Sequence, residues 1–304
     1  MENKVLSKEQ IEHFIERGWV KVEEAYPREL ALQCQQYIWE KMRRFDVDQS
    51  DPGTWKQPMY YLREAYSGEP FDPCNTERMA DAIEDLVGHG RWVDRGVFGA
   101  EEVVATWGWW PVNISLGADI PWDVPTGGWH WDGGHFRHYV DSPDQGILCL
   151  CMFSEIGPRG GGTLIVEGSH NLVARFLEKH PGGLEPQEAI DKLNEEHPYL
   201  AELTGITERR DDGAASDRIR KFMDEWHTDE DGFQLRVAET TASPGDIILC
   251  HPFLYHAPSQ NHSGSPRFMC NQKTPLKERM NYDRDNPDDY SPVEISIRRA
   301  LGRE

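Results

Sequence analysis

The sequence predicts a mainly β protein with helical decoration, a jelly roll or a related barrel. Up to about residue 98, apolar residues recur at helical spacing, whereas after Gly99 short apolar runs alternate with Gly and Pro. The chain has 304 residues, of which 38% are hydrophobic, which suffices for one large core. We therefore predict a single domain over 1–304. It comprises an N-terminal helical region (1–98), a β core (99–275) with a helical insertion (171–235), and a C-terminal tail and helix (276–304).

Local signals place the first elements. Ser7 and Gln10 have the spacing of a capping box, apolar residues follow at helical spacing, and Gly18 ends the helix. We further predict a strand at 19–22, a helix over 27–45 with Leu32 on its buried side, a loop over 49–73 and a helix over 76–88. Strands are predicted at 103–107, 112–116, 147–153, 163–166, 247–250 and 267–273, and a helix at 291–301.

Charge limits the classes of partner. Lys and Arg total 32 against 53 Asp and Glu, so the net charge is −21. Such acidity argues against nucleic acid or an anionic membrane surface as the partner and leaves a small-molecule substrate. The sequence has no 18-residue apolar run, no apolar signal core and no C-x-x-C pattern among its six Cys. We expect a cytoplasmic protein without membrane insertion; the oligomeric state is left open.

Four residues carry the candidate chemistry. His130 and Asp132 are two positions apart in Trp-His-Trp-Asp-Gly-Gly, and in a strand their side chains would share one face. An imidazole and a carboxylate are the first two ligands of a 2-His-1-carboxylate iron site. Far downstream, His256 ends a short apolar run and supplies a candidate third ligand. Arg267 follows in another predicted strand, and its planar guanidinium suits a carboxylate bound beside the metal.

These motifs, in this order, resemble the phytanoyl-CoA dioxygenase (PhyH-like) family over roughly residues 8–275. The motifs are His-x-Asp at 130–132, Gly-Thr-Leu-Ile-Val-Glu-Gly-Ser-His at 162–170, Gly-Asp at 245–246, His256 and Arg267. The family usually has Pro where this chain has Glu167, a departure that we expect to matter little.

The resemblance implies a double-stranded β-helix (a cupin-like jelly roll) and an Fe(II)- and 2-oxoglutarate-dependent dioxygenase. His130, Asp132 and His256 then match the iron ligands and Arg267 the residue that binds the distal carboxylate of 2-oxoglutarate. Asn113 and Thr163 are further candidates for the co-substrate site. The implied reaction consumes O2 and 2-oxoglutarate, releases succinate and CO2, and hydroxylates an unactivated carbon. Because position 132 is a carboxylate rather than a small residue, halogenation is not expected.

Two other functions remain open. A metal-dependent hydrolase can use the same three ligands, although it needs no anchor such as Arg267. A catalytically silent β-helix binding protein is the other alternative, against which the complete ligand set argues. Hydroxylation, desaturation, epoxidation and cyclisation all share this iron site, so the sequence names neither the substrate nor the outcome.

Several other residues have two readings. His135 and His138 are additional ligands or, more in keeping with their loop, residues that line the cavity. Arg137 and Tyr139 bind substrate or lie in a solvated loop. Four Trp residues, 109, 110, 129 and 131, stack on a flat substrate or belong to the core, and the last two are expected to face away from the metal.

The insertion contains basic residues at 209, 210, 218, 220 and 221. They are expected either to bind an anionic substrate or to form a solvated helical face. The insertion itself is expected to be a mobile lid that selects the substrate, with a rigid helical support or an oligomer contact as the alternatives.

Overall fold

The computed structural model describes residues 3–97, 107–207 and 217–303. Its strands are β1 (Trp19–Val22), β2 (Met59–Leu62), β3 (Trp110–Asn113), β4 (Leu148–Met152), β5 (Thr163–Glu167), β6 (His227–Thr228), β7 (Gln234–Glu239), β8 (Ile247–Cys250), β9 (His256–Pro258) and β10 (Met269–Lys273). Its α-helices are α1 (Lys8–Arg17), α2 (Arg28–Met42), α3 (Glu77–Val87), α4 (Ser169–Glu178), α5 (Pro186–Glu196), α6 (Pro198–Leu203), α7 (Asp217–Ile219) and α8 (Pro292–Ala300). A π-helical turn, Arg220–Asp224, continues α7.

The predicted capping box at the start of α1 is present. The Ser7 hydroxyl accepts a hydrogen bond from the Gln10 N–H, and the Gln10 side chain accepts one from the Ser7 N–H. At the other end Gly18 adopts φ 85°, a left-handed conformation that favours glycine, and its N–H bonds the Phe14 carbonyl. This turn delivers the chain directly into β1.

Two four-stranded antiparallel sheets form the centre of the protein. The first sheet has the order β1-β8-β4-β10 and the second the order β6-β7-β5-β9. In the first sheet Leu150 pairs with Ile248 on one side and with Asn271 on the other. All five residues of β4 and all five of β5 are buried, as expected for strands covered on both faces.

Two isolated antiparallel bridges extend these sheets. Asn113 pairs with Arg267, which adds the β2–β3 ribbon to the first sheet beside β10. His130 pairs with His256, which adds the segment around residue 130 to the second sheet beside β9. The two sheets face each other, since Ile165 of the second belongs to one buried apolar cluster with Leu150 and Met269 of the first.

Most of the predicted elements are present, with three corrections. The segment 49–73, predicted as a loop, contains β2, which pairs with β3. Leu32, predicted to be buried, is 39% exposed, because the buried face of α2 is formed by Ala31, Cys34 and Ile38. The strand predicted at 112–116 is β3, at 110–113. Most of the strand predicted at 103–107 lies outside the described residues, as do Arg209 and Arg210.

Glu167 has a larger structural role than we expected for a residue at the end of a strand. Its side chain is buried, and it accepts hydrogen bonds from the Trp19 indole at 3.0 Å and from Arg236 at 2.8 Å. Arg236 also lies 4.2 Å from the centre of the Trp226 ring, over its face. The carboxylate therefore connects β1 of the first sheet to β5 and β7 of the second.

The described part of the insertion is packed into the core. Leu172, Phe176 and Leu193 are buried, and α4 packs against α8. The buried Arg218 guanidinium donates to the carbonyls of Val124, Pro125, Glu202 and Leu203, so it ties the insertion to the segment before His130.

This packing favours the rigid support over the mobile lid. By contrast, Arg220 and Lys221 form exposed ion pairs with Glu225 and Glu202, as a solvated helical face predicts. Within the described ranges, no helix combines the length and the apolar character needed to cross a lipid bilayer.

If the insertion is a rigid support, its amides are already protected without ligands. We expect slow hydrogen exchange in α4 and α5 of the metal-free protein, with no further slowing when metal and 2-oxoglutarate are added, since the helices are already buried. Mass-spectrometric hydrogen exchange over 171–207 checks this. Fast exchange that becomes slow on ligand addition would restore the mobile lid.

Two buried histidines predict sensitivity to acid. Burial lowers the pKa of His170 to about 4, and burial also lowers the pKa of His251, whose ring centre lies 4.8 Å away. Between pH 6.5 and about 4 the unfolded chain binds protons that the folded chain excludes, so stability falls as the pH falls through this window, by up to about 1.4 kcal/mol per pH unit for each histidine.

Urea unfolding between pH 7.5 and 5 measures this slope. The variant His170→Gln keeps a donor for the Ile15 carbonyl. In this variant the slope of the unfolding free energy against pH should decrease by the contribution of roughly one proton. The matched control is His262→Gln, at an exposed histidine, which should leave the slope unchanged. Equal slopes in wild type and His170→Gln would contradict the prediction.

Candidate metal centre

Backbone pairing brings the two candidate histidine ligands together. His130 and His256 exchange both backbone hydrogen bonds, at 3.0 and 2.8 Å. Residues directly opposite in an antiparallel pair share a face of the sheet, so both imidazoles lie on the same side, with centres 4.4 Å apart. The shared face of His130 and Asp132 was expected from a strand at this position. In the structure His130 forms only this single bridge, and Asp132 follows in a bend.

Asp132 reaches the same point as the two rings. Its Oδ1 lies 3.4 Å from His130 Nε2 and 3.7 Å from His256 Nε2, and the three ligand atoms lie within 4.8 Å of one another. Ligand atoms about 2.1 Å from a common metal, at right angles, are about 3 Å apart. The arrangement therefore fits one metal ion held on one face, with small adjustments.

Gly133 allows the turn after this carboxylate. Its φ is 119°, and a Cβ atom there would lie 2.6 Å from both His138 Cε1 and Phe136 Cζ. Only glycine meets both requirements. The chain can therefore turn away immediately after Asp132.

Both rings are held in the tautomer that a metal requires. His130 Nδ1 lies 2.8 Å from the Gly128 carbonyl and His256 Nδ1 lies 3.0 Å from the Leu254 carbonyl. A carbonyl accepts only from N–H, so each Nδ1 carries a proton, and Nε2 is the nitrogen of each ring that faces Asp132 and is available to a metal. These carbonyls orient the ligands in the absence of any metal.

The pKa values of the three triad residues depend on their burial and on the charges of the other two residues. Burial opposes the charged form of His130, but the hydrogen bond to Asp132 and its negative charge outweigh this and raise the pKa. Burial also opposes ionisation of Asp132, yet the two histidines lower its pKa. Burial, followed by repulsion from His130, lowers the pKa of His256 to about 4, which keeps it neutral and able to bind a metal.

The site is open on one side. The side chain of His130 is 41% exposed and that of Asp132 is 24% exposed, whereas His256 is 8% exposed. His256 therefore forms the inner wall, and a ligand approaches past His130. An ion held by these three residues keeps further coordination positions free on that side.

Arg267 lies on the inner face of the opposite sheet. It is two residues before Met269, which belongs to the cluster between the sheets, so strand alternation directs it toward the same space. Its side chain is buried, and Nε and Nη1 have no hydrogen-bond partner in the described structure. Burial lowers its pKa to about 10, so the group stays charged. A buried guanidinium without a partner is costly unless an anion binds it.

The two further candidates for the co-substrate site are buried beside this region. Asn113 uses its side chain structurally, since Nδ2 donates to the Ser259 carbonyl and Oδ1 accepts from the Leu116 N–H. The Thr163 hydroxyl lies 3.8 Å from Met269 Sδ. Both stay predictions, and the contacts of Asn113 favour a role in holding the Arg267 bridge.

Other candidates have structural contacts. His138 is buried between the Trp131 indole, which donates to its Nδ1, and the Gly133 carbonyl. Arg137 pairs with Glu185 and the carbonyl of Gly183, so it joins its loop to the insertion. Trp129 and Trp131 are buried in the main core, away from the metal ligands, as predicted, and Trp110 is also buried there.

Sequence reasoning missed two residues near the site, Tyr61 and Lys273. Tyr61 lies near enough to Arg267 to offset part of the effect of burial on its pKa, and Lys273 contributes to the lowered pKa of Asp132. Lys273 Nζ lies 3.3 Å from His135 Nε2, at the exposed edge. Lys273 could have been found, because it follows Arg267 by six residues along one strand, an even spacing that places both side chains on one face.

No protein-family model matches the chain, and no curated protein matches it significantly. Among solved structures, it is similar to the non-heme alpha ketoglutarate dependent carbocyclase SnoK from nogalamycin biosynthesis (12% identity, 90% of this chain, 86% of that chain, TM-score 0.49). It is also similar to EctD from S. alaskensis with 2-oxoglutarate and 5-hydroxyectoine (13%, 96% and 86%, TM-score 0.47). A third is a putative oxidoreductase from Salmonella typhimurium LT2 (14%, 98% and 83%, TM-score 0.48). Similarity at this level assigns neither a family nor a reaction.

If the triad holds the metal, removal of one ligand should abolish binding. His130→Ala loses one of three ligands, and we expect at least a hundredfold weaker Fe(II) binding with unchanged circular dichroism, because His130 is half exposed. Anaerobic equilibrium dialysis measures the affinity. His135→Ala is the matched control, since this nearby histidine contacts Lys273 rather than the triad, and should bind Fe(II) normally. Loss of binding in the control alone would overturn the ligand assignment.

Proposed function

We propose that this protein is an Fe(II)- and 2-oxoglutarate-dependent dioxygenase of the phytanoyl-CoA dioxygenase type, which hydroxylates an unactivated carbon of a small molecule. The observation that carries this proposal is a buried, unpartnered guanidinium that faces the same space as a complete His-Asp-His triad. The triad alone fits a hydrolytic zinc site equally well. Arg267 separates the two functions, because a hydrolase has no need of a buried anion anchor there.

The strand order supports a double-stranded β-helix. Numbered along the chain, the eight paired segments are β3, the segment at His130, β4, β5, β7, β8, β9 and β10. The first sheet then has the order 1-8-3-6 and the second the order 2-7-4-5. Consecutive segments thus alternate between two facing sheets, except for segments 4 and 5, which are neighbours in the second sheet, and this is the order of a jelly roll. This order puts segments 2 and 7, with the triad, opposite segment 8, with Arg267.

The residues divide the work of the proposed reaction. The triad would hold Fe(II), which supplies O2 activation once 2-oxoglutarate is bound. Arg267 would hold the distal carboxylate of the co-substrate, so that its keto acid end reaches the metal in one orientation. The buried aliphatic residues between the sheets, among them Leu150 and Ile165, exclude water from this space. Release of succinate and CO2 would accompany hydroxylation.

The proposal predicts a specific loss in Arg267 variants. Arg267→Met removes the charge that pairs with the co-substrate, a contact on the order of 3 kcal/mol, so the KM for 2-oxoglutarate should rise by about a hundredfold or more. Because Nε and Nη1 of the guanidinium have no hydrogen-bond partner among the described residues, the same variant should be no less stable in urea. Succinate formation and urea unfolding give the two measurements.

Arg28→Met is the control, since this arginine forms an exposed ion pair with Glu155 on the outside of the protein. It should leave the KM for 2-oxoglutarate unchanged. An unchanged KM in Arg267→Met would contradict the assigned anchor. Metal-dependent ester or amide hydrolysis without succinate formation would favour the hydrolase instead.

A further inference from the structure

A row of side chains crosses the inner face of the first sheet toward the open side of the triad. Antiparallel register pairs Asn113 with Arg267 and Pro111 with Tyr61, and the Asn271 N–H donates to the Trp109 carbonyl. Opposite residues share a face, and so do residues two apart along a strand. Tyr61 and Trp109 therefore lie on the face that holds Arg267, and Arg63 and Lys273 continue it at its two ends.

Two aromatic rings in this row form an accessible surface. Tyr61 is 48% exposed, although it belongs to a strand, and its ring centre lies 5.5 Å from that of Trp109, with 31° between the ring planes. Trp109 is half-buried, unlike Trp107 and Trp110 on either side, which are fully buried. Accessible large aromatic faces on the side of the sheet that holds Arg267 favour a flat ligand that stacks on them.

Two cations border this aromatic surface. The Arg63 guanidinium lies 5.3 Å from the centre of the Trp109 ring, and Lys273 contacts His135 beside the triad. Neither forms an ion pair with a carboxylate within the described part of the chain, in which most other basic side chains do so. In a protein with net charge −21, two cations without carboxylate partners beside one aromatic surface indicate an anionic ligand.

The negative charges of the co-substrate do not neutralise Arg63 and Lys273. Fe(II) and Arg267 together supply three positive charges, and 2-oxoglutarate and Asp132 together supply three negative ones. Asp144 also faces His135 and offsets one further charge at most. Arg63 and Lys273 thus leave a positive excess at the place where a substrate would enter.

We propose that the substrate is an organic anion built on a flat unsaturated ring, stacked on Tyr61 and Trp109, with its carboxylate or phosphate between Arg63 and Lys273. This inference rests on the proposed function, because it takes Arg267 and the triad to be occupied by 2-oxoglutarate and metal. It adds the substrate class and four specificity-determining residues.

The test uses a matched set of small probes. The flat anion is 2-naphthoate, its neutral partner is 2-naphthamide, its saturated partner is decahydro-2-naphthoate, and 2-naphthyl phosphate distinguishes the two anionic groups. Each is titrated calorimetrically into protein that holds Ni(II) and saturating 2-oxoglutarate, so that Arg267 is occupied and no turnover occurs. We expect 2-naphthoate or 2-naphthyl phosphate to bind at least tenfold more tightly than the amide and the saturated acid.

Variants assign each preference to its residues. Arg63→Ala and Lys273→Ala should each reduce the preference for anion over amide by about tenfold, as the loss of one charged contact predicts. Trp109→Ala should reduce the preference for the flat over the saturated acid. Arg43→Ala, at an exposed arginine elsewhere, should alter neither preference. Equal binding of acid and amide by wild type, or preferences unchanged in all three site variants, would overturn the inference.

A calorimetric titration of 2-oxoglutarate into the Ni(II) protein separates the two proposals. If 2-oxoglutarate binds and the probes show no preference, the substrate class is wrong and the proposed function stands. If 2-oxoglutarate does not bind, the proposed function is wrong. The probes are then titrated into the Ni(II) protein alone, where the preferences for anion and flat ring must persist if the surface of Tyr61, Trp109, Arg63 and Lys273 is correctly assigned.

Discussion

The site depends on one backbone pairing, the two hydrogen bonds exchanged by His130 and His256. This pairing places the imidazoles on one face, and the carbonyls of Gly128 and Leu254 then fix which nitrogen of each ring is free. The pairing depends in turn on β9, which is held against β5 with His256 opposite Ile165. Without these strands His130 and His256, far apart in sequence, would have no common orientation. Asp132 would then not meet both imidazoles at one point.

The buried charge of Arg267, on the opposite sheet, costs folding free energy. Arg267 is buried with two nitrogens unpartnered, and burial lowers its pKa to about 10, which shows the desolvation penalty of the charge. Two other buried charges of the described structure are paired, Glu167 with Arg236 and Glu294 with Arg284. A buried guanidinium that faces the candidate metal ligands with two unpartnered nitrogens is better explained by ligand binding than by stability, because an apolar side chain would serve the fold better.

Rigid surroundings keep the two halves of the site in place. Arg218 fixes the insertion to the segment that leads into His130, and the Tyr255 hydroxyl donates to Asn194 of α5 just before His256. The buried pair His170 and His251 joins the start of α4 to the end of β8, with His170 bonded to the Ile15 carbonyl of α1. The proposed selection of a substrate by exposed side chains such as Tyr61 and Lys273 therefore requires no movement of these helices.

The sequence by itself determined the elements and the ligand types. Capping at Ser7, the apolar runs of β4, β5 and β8, and the identities of His130, Asp132, His256 and Arg267 follow from local patterns, because capping, burial and coordination chemistry depend on residue type and short spacing. Tertiary structure alone decided that residue 130 forms a single bridge rather than a strand, that β2 lies beside β3, and that Arg218 serves the fold while Tyr61 and Lys273 lie on the face that holds Arg267. These outcomes depend on register between distant strands, and an alternating pattern shows which residues share a face without showing what that face meets.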